Sequence, residues 1–241
     1  MKNPQEIIRE AFEYADVTID KAIAVTDGGS SVECELEIEP EDFLAFAEKD
    51  LSSQDIRALT NALSNAKRAI DAQVAKILKL LRIRSEAAKK GKLDFLNDIG
   101  IVAPRIIRKI RGQRDLLEHE FKIPTRSQVE DAIDVASLFL MASARTLYVL
   151  PETLLIANED EESDPIFLFK KAVKVTTDWE KEGFEVSAFR VGDTRQSIAG
   201  ASERQVTNDM PLYYDILRAY IAAETGRNVR AALDYLRPYL K

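Results

Sequence analysis

The sequence predicts a mainly α protein, α+β overall, with a helical bundle core, an acidic N-terminal strand segment and a small α+β C-terminal appendage. Three observations predict it. Apolar residues recur every three or four positions through the middle of the chain, they alternate with glutamates around residue 35, and short β-prone runs appear beyond residue 170.

Residues 4–18 carry Ile7, Ile8, Phe12 and Tyr14 at roughly helical spacing behind Pro4, which a first turn tolerates, so an opening helix is expected. After Asp27-Gly28-Gly29 the period changes. Val32, Cys34, Leu36 and Ile38 alternate with Glu33, Glu35, Glu37 and Glu39, as in a strand with one acidic face. Ser53 to about Arg84 holds the longest helical signal, running from Ile56 through Ile70 to Leu81, with Ser52 and Asp55 at its cap. A basic turn, Lys89-Lys90-Gly91-Lys92, leads into a short apolar piece at Leu93–Leu96.

Pro104 opens a second helix, with Ile107, Ile110, Leu117 and Phe121 on one stripe. Ile123-Pro124-Thr125 breaks it. Ser127 and Glu130 form a capping box for a third helix, whose buried face is Val129, Ala132, Ala136, Phe139, Ser143 and Leu147. Residues 52–148 therefore read as a bundle of helices. Beyond Pro151 the run Glu159-Asp160-Glu161-Glu162 reads as a solvated linker. Ala172, Val173, Val175, Phe184, Val186, Phe189 and Val191 then form β-prone runs split by Gly183, which suggests a hairpin. A polar loop from Gly192 to Met210 precedes two closing helices, near 211–223 and 227–237, with Gly226 between them. The expected organisation is an N-terminal extension at 1–51, the bundle at 52–150 and the appendage at 151–241.

Composition excludes several classes. A hydrophobic content of 46% with nine glycines and eight prolines suits a packed protein and not a disordered one. One cysteine, Cys34, and one histidine cannot build a disulfide framework or a zinc site of the usual kind, so no metal is expected. There is no P-loop and no G-x-G-x-x-G, and no cofactor is expected. The N-terminus lacks an apolar signal region, and the most apolar stretch, Leu138–Ala157, is broken by Arg145, Pro151 and Glu152. A cytoplasmic protein without a membrane span is expected.

The net charge of −7 argues against a general nucleic-acid coat protein, but its distribution is uneven. Lys76–Arg114 holds twelve Lys or Arg against three acids, a local +9, whereas residues 1–50 hold fourteen acids and four bases. The basic region ends on Arg114-Asp115-Leu116-Leu117-Glu118-His119. Arg114 falls on the apolar stripe of its helix, where a charge needs a reason. A guanidinium matches phosphate oxygens with a planar fork of donors, and a histidine moves protons near neutral pH. Positions five apart lie about 140° apart around a helix, so the two side chains do not converge on one straight helix. Either the helix distorts near Gly112, or two copies meet across a two-fold axis; the second is preferred.

This segment resembles the HEPN superfamily, helical proteins marked by arginine, a polar residue and a histidine four to six residues on. Arg114, Asp115 and His119 match the pattern. The context matches too, because a long helix precedes the motif at Ser53–Arg84 and a proline and amphipathic helix follow at Pro124–Leu147. The resemblance covers residues 52–148. It implies a metal-independent endoribonuclease acting as a homodimer, with Arg114 and His119 catalytic and Asp115 helping to set their geometry. It also implies a role in toxin–antitoxin or antiviral defence, with an antitoxin or sensor protein as partner. The alternative is a catalytically silent member that binds RNA, nucleotide or protein. Asparagine is commonest where Asp115 stands, and the tyrosine modified in one toxin branch is here Phe121. On charge grounds alone, Arg108, Lys109 and Arg111 are added as phosphate contacts.

Blander readings stand beside these. His119 could pair with Glu118, and the basic run Arg82–Lys92 could be a solvated helix end. Trp179 and the Tyr213-Tyr214 pair could stack on bases, although aromatics in packed elements are usually core.

Overall fold

The computed structural model describes residues 3–29, 34–53, 55–85, 87–89, 91–101, 105, 109, 112, 123–148, 152–178, 182–191, 205–224 and 230–241. The chain forms two compact units, one of Met1–Ser30 with Pro151–Lys241 and one of Ser31–Leu150. In chain order the described elements begin with α1 (Pro4–Ala15), β1 (Ala22–Asp27), α2 (Pro40–Leu51), α3 (Ile56–Leu80), α4 (Lys92–Asp98) and α5 (Arg126–Tyr148). They continue with β2 (Thr153–Asn158), β3 (Ser163–Asp164), β4 (Leu168–Phe169), β5 (Lys171–Asp178), β6 (Gly183–Arg190), β7 (Gln205–Thr207), α6 (Pro211–Glu224) and α7 (Ala231–Asp234).

The first unit is built on a five-stranded antiparallel sheet in the order β1-β2-β5-β6-β7. This corrects the expected fold class. The molecule is α+β, and its C-terminal segment is no small appendage, because it shares one sheet with the N-terminal segment. Asp27 pairs with Thr153 and Ala22 with Asn158, so the edge strand β1 and its neighbour are separated in sequence by the whole Ser31–Leu150 unit. The β5–β6 hairpin forms where the β-branched and aromatic residues predicted it, in full register from Lys171↔Arg190 to Asp178↔Gly183. Gly183 does not divide it. The glycine is the first residue of β6 and pairs with Thr207 of β7, and a Cβ there would collide with the Val206 carbonyl.

Cross-strand partners and alternate residues share a sheet face. On one face lie Val173, Val175, Phe184, Val186 and Ala188, all essentially buried. Helix α6 covers that face: the Phe184 ring lies 4.9 Å from Tyr213 and is stacked 5.3 Å from Tyr220. The Tyr220 hydroxyl donates to the Val175 carbonyl at 2.5 Å. Its burial raises the phenol pKa far above the ordinary value, so it stays a neutral donor. Helix α1 packs on β5 and β6. It is tied by Arg190, whose Nε donates to the Tyr14 carbonyl at 2.6 Å while the guanidinium lies over the Tyr14 ring. The amino end of α1 carries the capping box that Asn3 and Glu6 encode.

The second unit is helical among its described residues. Helix α3 packs against α2 and α5, and α2 also meets α5. The long periodic stretch becomes α3, with Ala62, Leu63, Ala66, Ile70, Val74 and Ile77 buried, and Asp55 itself is the N-cap, accepting from the Arg57 amide. Helix α5 buries Val129, Ala132, Ala136, Phe139 and Ser143 as its pattern predicted. Its cap differs from the expected Ser127–Glu130 box: the Thr125 amide donates to Gln128 Oε1 at 2.9 Å and the Gln128 amide to Thr125 Oγ1 at 3.3 Å.

The acidic strand expected at residues 32–39 is also corrected. Residues 34–39 form no strand. The alternation survives only as exposure, with Glu35 and Glu37 exposed and Cys34 and Leu36 half-buried. Glu39 ends it by serving the start of α2. Its carboxylate accepts from the Leu36 amide at 2.8 Å and from Lys76 Nζ at 2.6 Å, and its own amide donates to Asp42 Oδ2 at 3.0 Å. These bonds, the Leu36 amide first and Lys76 second, hold the Glu39 carboxyl below its ordinary pKa.

Candidate functional site

Among the phosphate contacts named from charge, Lys109 is helical and exposed. Arg105 and Gly112 are helical and exposed as well. Arg108, Arg111, Arg114, Asp115 and His119 lie outside the described residues. Further exposed cations of the basic region are Lys79, Arg84, Lys89 and Lys92. Lys76 is different. It opens the basic region in sequence, yet its ammonium is spent on Glu39, with only 12% of the side chain exposed.

The sheet unit holds a feature that no sequence motif marks. On the sheet face opposite Phe184, the turn between β3 and β4 overhangs a cavity of about 340 Å³. Leu155, Lys174, Ser187 and Phe189 form its floor, Thr153 and Asp27 one side, and Ile166 and Phe167 the roof. Register explains the floor, since Leu155 pairs with Lys174 and Lys174 with Ser187, which sets the three in one row. Ala157, Ala172 and Phe169 continue the apolar surface beside them. Val173-Lys174-Val175 carries the signal in sequence, a cation inside an alternating β run.

No protein-family model, curated protein or solved structure matches the chain. The assignment of a site therefore rests on residues and geometry.

The aromatic candidates divide. Tyr213 is fully buried against Phe184 and Tyr214 donates to the Asn208 carbonyl at 2.8 Å, so this pair serves the packing of α6. Trp179 lies outside the described residues. Among those described, no group of three or more His, Cys, Asp and Glu side chains could hold a metal ion, and no helix is long and apolar enough to cross a membrane.

Proposed function

We propose that the protein is an endoribonuclease of the cytoplasm, acting through Arg114 and His119. The observation that carries the proposal is the Arg114–His119 segment itself, which pairs a permanent cation with the chain's only histidine at the end of its most basic stretch. Helical, exposed Arg105 and Lys109 support it, since exposed cations ahead of the motif attract a phosphate backbone.

RNA supplies its own nucleophile. His119 takes the 2′-hydroxyl proton or donates one to the departing 5′-oxygen, and Arg114 stabilises the charge on the phosphorus-centred transition state. The 2′-oxygen bonds to phosphorus, the bond to the 5′-oxygen breaks, and the products are a 2′,3′-cyclic phosphate and a 5′-hydroxyl. A homodimer about the motif helix would bring two arginines and two histidines to one cleft. An antitoxin or sensor protein would then restrain it.

Incubating purified protein with RNA in EDTA tests this, with Arg114→Ala and His119→Ala beside it. Cleavage that leaves cyclic phosphate ends and is lost in both variants is the expected result; unchanged cleavage by His119→Ala overturns it. A second reading, RNA binding without cleavage, is favoured by Asp115, whose carboxylate opposes phosphate. Retained RNA affinity with no cleavage would select it.

A further inference from the structure

We infer that the cavity beneath the β3–β4 turn binds a small monocarboxylic acid with an apolar body, its carboxylate held by Lys174 and its body beneath Ile166 and Phe167. This inference is independent of the RNA reading, because every residue it uses belongs to the sheet unit.

The first observation is the cation. Lys174 is half-buried on a central strand, in a row with buried Leu155, and its ammonium forms no hydrogen bond or ion pair with a described residue. Setting a charge with no partner among the described residues in an apolar floor is costly unless something compensates it. Thr153, 8% exposed, sits diagonally from Lys174 on the neighbouring strand, close enough for its hydroxyl and a long ammonium arm to share one anionic group.

The second observation is the roof. Ile166 is 81% and Phe167 42% exposed, yet the turn that presents them is hydrogen-bonded on itself. Asp164 Oδ1 accepts from the Ile166 and Phe167 amides at 2.8 and 2.9 Å, and the Phe167 ring lies 5.8 Å from that of Phe189. Below the turn, Lys170 pairs with Glu162, and the Val191 amide donates to the Lys170 carbonyl at 2.7 Å, fastening the excursion to the end of β6. A preorganised apolar roof over an apolar floor loses little entropy when a ligand enters, and the cavity volume falls within the range of small-molecule pockets.

The third observation sets the ligand's charge. Asp27 stands exposed at the rim with its carboxylate held by the Gly28 amide at 2.9 Å. Two cations line the cavity, but Arg190 already gives its Nε–H to the Tyr14 carbonyl, so Lys174 is the one that meets a ligand, and with the Asp27 carboxylate at the mouth the lining suits a single carboxylate and repels a second one.

Calorimetric titration of the full chain with octanoate, octylamine and octanedioate tests the site. Octanoate should bind saturably in the millimolar range or tighter, and octylamine and octanedioate should bind much more weakly. Lys174→Met and Phe167→Asp should each weaken octanoate by about tenfold or more, as expected for losing a charged hydrogen bond or the apolar roof. Asp27→Asn should gain octanedioate binding, a gain that misfolding cannot produce; melting temperatures check that Lys174→Met stays folded. No octanoate binding, equal octanoate affinity in folded Lys174→Met, or octylamine binding as tight as octanoate would each overturn the inference.

Discussion

The Gln73 side-chain amide donates to the Ser143 hydroxyl at 2.7 Å inside the packing of α3 against α5. Both residues are about 1% exposed, and the Ser143 hydroxyl donates in turn to the Phe139 carbonyl at 2.7 Å. The chain Gln73 to Ser143 to Phe139 is therefore a buried polar relay in an otherwise apolar interface. Removing one member strands the other: Ser143→Ala should cost about 1–3 kcal/mol in urea unfolding. Gln73→Leu removes the stranded donor, so the double variant should lose less than the two single losses added together. Strict additivity would mean that the pair does not act as a unit.

A second prediction concerns acid. Glu39 has a folded-state pKa below its unfolded value, because the Leu36 amide and Lys76 favour the carboxylate. A depressed carboxyl contributes stability above the unfolded pKa, near 4.3, and loses it as pH falls through the lower folded value. Stability between pH 7 and pH 3 should therefore fall less steeply in Glu39→Gln than in the parent, and Glu39→Gln should be the less stable at pH 7. Parallel pH profiles would show that this contact contributes nothing.

A third prediction concerns the edge of the sheet. Gly183→Ala pushes a methyl group into the Val206 carbonyl, so β7 must shift or separate from β6. Faster hydrogen exchange of the β7 amides should follow, together with a lower melting temperature. Tyr220→Phe keeps the ring against Phe184 and removes the bond to Val175 with the longer one to the Glu152 carbonyl, for a smaller loss of about 1 kcal/mol.

A fourth follows from the RNA proposal. If exposed Lys109 neutralises a phosphate, Lys109→Ala should weaken RNA binding regardless of sequence and reduce the slope of log K against log salt by about one. Arg105→Ala should act likewise. An unaltered slope would remove both from the interface.

Local pattern carried much of this fold. Helices α1, α3 and α5 were legible because a buried stripe repeats with the helical period, and the β5–β6 hairpin because its partners lie close in sequence. Strand β1 was not legible: although Ile23, Val25 and Thr26 are β-branched, the run is short and shows no polar alternation, and its partner β2 lies more than one hundred residues later. Strand β2 hid as a continuation of the apolar run from α5, and β7 has only Val206 to mark it. Helix α2 was overlooked because the alternating glutamates pointed to a strand, although Glu39-Pro40 is a sound helix start. Of the candidate sites, the Arg114–His119 motif is a reading of the sequence alone and lies outside the described residues, whereas the cavity has no local motif, because Lys174, Thr153 and Phe167 meet only through sheet register and the β3–β4 excursion.

The split sheet also dictates an order of events on the ribosome. When β1 emerges, the strand it must pair with has not been translated, and at ordinary elongation rates it follows on the order of ten seconds later. The Ser31–Leu150 unit has its whole sequence available first. Nascent chains should thus gain helical structure before the sheet, leaving the apolar face of α1 (Ile7, Ile8, Ala11, Phe12) and the β1 edge without their packing partners until the later strands emerge.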